Sequence, residues 1–164
     1  MARQDEPQPL LPSLLDRLLD DEPAVTREPP RGRGQALRDL KQAVRRDLEI
    51  LLNTRRSFLD WPPALAELQR SLLNYGLPDF SATGLGSARE RHDFCRTLQE
   101  LLERSEPRLK AVSVRPLDNA LGLGRTLRFR IDALLRTDPA PEPIVFDSML
   151  EPSSAAFTVK GVEG

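Results

Sequence analysis

The chain has 164 residues, 24 of them Lys or Arg and 25 Asp or Glu, with 39% hydrophobic and only 5% aromatic residues. That length suits one domain with tails better than two domains, and so low an aromatic content leaves part of the chain with little to bury on its own. A sequence pI near 5.9, with basic groups not interleaved with stacking aromatics, excludes a nucleic-acid-binding profile.

The charge is unevenly placed. Residues 1–36 hold five Arg against seven acids and residues 137–164 one Lys against five, so the middle carries 18 basic and 13 acidic groups. A net charge near +5 between two acidic ends leaves an acidic partner surface open as a reading. The single cysteine, Cys95, can form no internal disulfide, and no metal-ligand spacing surrounds it. The segment Met1-Ala2-Arg3-Gln4-Asp5-Glu6-Pro7 has no apolar h-region, and no apolar run approaches the roughly 18 residues of a membrane span. A cytoplasmic chain without direct membrane insertion is expected.

Leu14, Leu15, Leu18 and Leu19 form one leucine stripe on a short helix, with Asp16, Arg17 and Asp20 on the opposite side. A helix this short needs a surface to lie on. The Pro-, Gly- and Arg-rich stretch that follows, up to about residue 36, is a flexible linker, so the helix is tethered. It either lays its leucines in a partner's groove or folds back on its own domain. From Leu37 to about Leu52, apolar residues recur at helical spacing, and Asn53-Thr54-Arg55-Arg56 closes this helix with polar and cationic groups. Trp61-Pro62-Pro63 then opens a third predicted helix, with Leu65, Leu68, Leu72 and Leu73 on its apolar side and Gly76 ending it. Ser87 and Glu90 have capping-box spacing and start a fourth helix, whose inward side is Phe94, Leu98, Leu101 and Leu102.

That helix ends at Ser105, because Pro107 lacks an amide proton and biases Glu106 away from helical geometry. Glu106, Pro107 and Arg108 make a stiff charged corner, and a strand from Leu109 to Leu117 leaves it. Thr126 to Ala133 alternates as a half-buried antiparallel strand, with a hairpin loop containing Gly122-Leu123-Gly124 before it. Ile144-Val145-Phe146 and Phe157-Thr158-Val159 supply two more short strands. The fold class predicted is α+β, with N-terminal helices packed on a small C-terminal antiparallel sheet. Phe157 and Val159 fall on a terminal strand, which either closes its own sheet or offers an edge with unpaired backbone groups to another chain.

Chemistry is sparsely furnished. His92, the only histidine, and Cys95 stand three apart and could share a helix side, yet two ligands do not make a zinc site. Glu103 and Glu106 could serve as a carboxylate pair for glycoside hydrolysis, although one Trp and one Tyr furnish a sugar cleft poorly. No cofactor is implied.

Four phrases fall in one order: Pro12-Ser13-Leu14-Leu15-Asp16-Arg17-Leu18, the stretch Arg46 to Arg55, Leu73-Asn74-Tyr75-Gly76-Leu77-Pro78-Asp79, and Glu106-Pro107-Arg108-Leu109. Together they resemble the TssE family of bacterial type VI secretion baseplates, which is similar to the baseplate wedge protein of contractile phage tails, long labelled lysozyme-like. The resemblance implies a structural protein and no enzyme. It would divide the chain into a docking helix with linker over 1–36 and a wedge domain over 37–164. Glu106, Pro107 and Arg108 would dock on the core bundle of TssF-like and TssG-like subunits, with TssK-like and sheath subunits as further partners. The implied location is the cytoplasmic, inner face of the bacterial inner membrane. Charge reversal at Arg108 is expected to abolish docking and leave the monomer folded. A small peptidoglycan-cleaving glycoside hydrolase is the alternative.

Overall fold

The computed structural model describes residues 10, 13–18, 32–57, 62, 64–69, 71–80, 85–117, 126–151 and 154–162. Its elements run α1 (Leu14–Leu18), α2 (Arg33–Asn53), α3 (Ala66–Gln69), a 3-10 turn (Leu72–Asn74), α4 (Ala88–Ser105), β1 (Leu109–Leu117), β2 (Leu127–Leu135), β3 (Glu142–Glu151) and β4 (Ala156–Val162). The strands form one antiparallel meander in the order β1-β2-β3-β4. This is the predicted α+β arrangement. Leu19, the linker from 21 to 31, Trp61 and the loop with Gly122-Leu123-Gly124 lie outside the described residues.

Both long helices cover the same face of the sheet, α4 against β1 and α2 against β4. Val44, Leu48, Leu51 and Leu52 of α2 meet Phe94, Leu98, Leu101 and Leu102 of α4 in the core. Beneath them lie Phe129, Ile131, Leu135, Phe146, Leu150, Phe157 and Val159, all at alternating inward positions of β2, β3 and β4. Ser87 caps α4 as its spacing predicts: its Oγ accepts the Glu90 N–H at 3.1 Å while Glu90 Oε2 accepts the Ser87 N–H at 2.8 Å.

The third predicted helix is not continuous. Among the described residues of this segment only Ala66–Gln69 and the turn Leu72–Asn74 are helical, Ser71 between them is extended, and Leu65, Leu72 and Leu73 stay exposed. Their spacing suits a helix, but α2 and α4 already occupy the sheet's inner face, so a third apolar face has nothing to bury against. The segment is pinned one step later. Leu77 is fully buried, its N–H donates to Thr54 O at 2.8 Å, and its carbonyl accepts the Arg56 N–H at 2.9 Å. Gly76, at φ +99°, makes this approach possible, since a Cβ there would lie 2.6 Å from Thr54 O. Arg55 and Arg56 therefore do not cap α2 by charge. Arg55 reaches Ala155 O at 2.9 Å and stacks 4.6 Å over Phe80, while Arg56 reaches Asn74 Oδ1 at 3.3 Å.

The two sheet edges differ. On β1 the register shifts between Lys110 and Ser113, with Ala111 at φ +49°, which is a β-bulge. The extra residue lets Leu109 and Val112, three apart, both point inward. Beyond the bulge Gln99 of α4 accepts the outward Val114 N–H at 3.4 Å, and the next outward position is Pro116, which has no N–H. A bulge, a side-chain acceptor and a proline thus close this edge.

Candidate functional site

The corner predicted at residues 106–108 forms where α4 stops. Glu106 is the residue after the helix; its N–H still donates to Leu102 O at 2.9 Å, and its side chain is buried. Arg108 grips that carboxylate with both arms, Nε to Oε1 at 2.7 Å and Nη2 to Oε2 at 2.5 Å. Pro107 sets the short reach that this pairing requires. The same Nη2 lies 2.7 Å from Asp47 Oδ2 on α2. Arg108 Nη1 is buried and has no hydrogen-bond partner among the described residues.

The charges continue outward. Asp47 Oδ1 accepts from Arg46 at 3.0 Å, and Arg46 Nη2 lies 2.6 Å from Asp16 of α1. Five side chains, Glu106, Arg108, Asp47, Arg46 and Asp16, alternate in sign from the corner to the N-terminal helix. Hydrogen bonding by Glu106 foremost raises the Arg108 guanidinium further above its ordinary value, and that of Asp16 does the same for Arg46. Burial pushes Asp16 up, but hydrogen bonds from Ser13 and Arg46 outweigh it and hold its carboxyl below its usual range. Burial, then the charges of Asp47 and Glu106, raises the Tyr75 phenol.

Helix α1 therefore presents its polar side to the domain. Asp16 binds Arg46, whereas Leu15 and Leu18 are 55% and 81% exposed. Leu14 lies within α1. A second exposed apolar group lies in the turn before Gly76, Leu72 at 89%, Leu73 at 47% and Tyr75 at 36% exposed, and Tyr75 is the member close enough to feel Asp47 and Glu106. The sequence reading missed it by assigning Leu72 and Leu73 to a helix core.

Phe157 and Val159 place their side chains in the core, 2% and 1% exposed, so only their backbone lies at the edge. Part of that edge is taken up by side chains of α2 and the residues after it. Asn53 at the end of α2 accepts the Phe157 N–H at 2.9 Å and donates to Phe157 O at 3.0 Å. Arg45 donates to Val159 O at 3.1 Å and Arg55 to Ala155 O.

The residues weighed for catalysis are otherwise placed. Glu106 offers both oxygens to Arg108, and Glu103 is exposed and accepts from Gln99 at 3.0 Å. His92 is exposed while Cys95 is buried, so the two do not share a side, and burial pushes the Cys95 thiol up to about 11. Among the described residues no group of His, Cys, Asp and Glu could hold a metal ion, and no helix is long and apolar enough to cross a membrane.

Two helices on one face of a four-stranded meander, with a charged corner where α4 turns into β1, define a small α+β module. The chain belongs to the baseplate wedge protein gp25 family, whose model matches residues 38–140. It is thus a structural protein of a phage-tail-like baseplate, where it contacts other baseplate components. Searches of curated proteins and of solved structures return no match.

Proposed function

We propose that this chain is the TssE-type wedge subunit of a type VI secretion baseplate, acting in the cytoplasm at the inner face of the inner membrane. The observation that carries the reading is the corner. Glu106, Pro107 and Arg108 are braced by Asp47, and the turn that carries exposed Leu72, Leu73 and Tyr75 is held to the end of α4 through Arg104 and Asn74, with Tyr75 within reach of the Asp47 and Glu106 charges. Interfaces take their energy from such desolvated centres, and preorganised charges fix register. The core bundle of TssF-like and TssG-like subunits docks there, while α1, tethered over residues 1–36, offers Leu14, Leu15, Leu18 and Leu19 to a neighbour such as a TssK-like subunit. The β4 edge of the domain over 37–164 serves the first sheath subunits by strand addition.

The test is co-purification of the tagged chain from its own bacterium, wild type beside Leu72→Glu and Arg108→Lys, with captured proteins identified by mass spectrometry. Leu72 is 89% exposed, so its substitution leaves the fold intact. Lysine keeps the charge at 108 but loses the two-armed grip. Wild type is expected to bring down baseplate and sheath subunits and both variants to lose the baseplate ones. Equal recovery by Leu72→Glu, or none by wild type, refutes the reading.

A further inference from the structure

An edge strand alternates between residues whose backbone groups face the neighbouring strand and residues whose groups face outward. Because Asn53 binds both the N–H and the C=O of Phe157, the outward positions of β4 are Phe157, Val159 and Gly161. A side-chain amide that accepts from one residue's N–H and donates to the same residue's C=O repeats the two bonds an added antiparallel strand would make there. Asn53 stands in for that strand residue. Arg45 fills the Val159 carbonyl next along. Among the described residues, the Val159 N–H and both groups of Gly161 stay open.

Gly161 is unusual in a second way. Its φ is not positive, and a Cβ built on it would meet nothing within 4 Å, so neither its own backbone nor its own neighbours require glycine. A glycine in a strand without an internal reason marks a place where another backbone comes close.

We infer that Asn53 is a strand mimic that closes β4 at Phe157, stops two copies of this chain from pairing β4 to β4, and confines strand addition to Val159–Gly161. The occupant is an extended segment of a partner protein, recognised by its backbone at Gly161, with its side chain over the open shelf where Gly161 has no Cβ. The inference specifies where on the sheet the proposed sheath strand would join.

Amide hydrogen exchange on the full free chain, resolved by residue, tests the mimic without any partner. In the wild type the Phe157 amide is expected to exchange slowly and the Gly161 amide fast. Asn53→Ala removes the mimic's hydrogen bonds, so Phe157 exchange should rise about tenfold or more, and the variant should dimerise in sedimentation at concentrations where wild type is monomeric. A Phe157 amide as fast as that of Gly161 in the wild type overturns the inference. So does an Asn53→Ala chain that stays monomeric with unchanged exchange. Gly161→Pro deletes an N–H that bonds nothing among the described residues, so it should leave that exchange pattern intact and abolish capture of the sheath subunit. Undiminished capture by this variant overturns the confinement to Val159–Gly161. If the wild type captures no sheath subunit, strand docking itself is refuted, while the exchange result still decides the mimic.

Discussion

Replacing Arg108 by alanine should destabilise the free chain well beyond what a surface arginine is worth. The substitution leaves the Glu106 carboxylate, whose side chain is 8% exposed, with no cation beside it, and takes from Asp47 its 2.7 Å partner. Breaking a fully buried pair from one side costs about 3–5 kcal/mol. Arg108 and Asp47 are 25% and 26% exposed, so water recovers part of that and about 2–3 kcal/mol remains. For a chain of this size that is roughly 5–10 °C in Tm. Urea unfolding at pH 7, followed by far-ultraviolet circular dichroism, measures it, with an unchanged m-value showing that the same structure is being lost. Combining Arg108→Ala with Glu106→Gln should restore part of the loss, because the orphaned charge goes with its partner. A cost under about 1 kcal/mol for Arg108→Ala, or strictly additive single variants, would refute the view of this corner as an internal brace.

Three other outcomes follow from single positions. Ser148 is buried with its hydroxyl unpartnered among the described residues, so Ser148→Ala should stabilise the chain by about 1 kcal/mol in the same urea assay. Gly76→Ala forces a Cβ to within 2.6 Å of Thr54 O at positive φ and should cost about 1–3 kcal/mol. Tyr75 is the only tyrosine, so absorbance at alkaline pH reports it alone: its midpoint should exceed 10.0, and Asp47→Asn should bring it down. Since the folded value is raised, Tyr75 favours the unfolded chain only as pH climbs past its ordinary 10.0, and the neutral range is unaffected.

Elements whose signal was local were legible in the sequence. The Ser87 to Glu90 spacing located the start of α4, and Pro107 its end at Ser105. Alternation in β2 marked Phe129, Ile131 and Ala133 as inward. Features decided by what lies across the fold were not legible. The apolar stripe from Leu65 to Leu73 announced amphipathicity but not whether any face remained to receive it. Leu15 and Leu18 looked like a helix seeking a groove, yet Asp16, on the polar side, makes the contact with the domain. Asn53 read as a polar terminator of α2, because nothing local shows that Phe157, more than a hundred residues later, arrives beside it. At the corner, sequence supplied the residues but not their pairing. Arg108 braces its own chain through Glu106 and Asp47, so charge reversal there would gather three carboxylates and strain the monomer itself.

The closed β1 edge sets a limit on growth. A sheet with two welcoming edges can add copies of itself head to tail without end, which is the geometry of a fibre. Here the bulge at Ala111, Gln99 on the Val114 N–H and Pro116 refuse a visitor on one side, so any strand gained at β4 is the last one. For a component of a larger baseplate, that makes the sheet a terminus on its β1 side rather than a link in a chain.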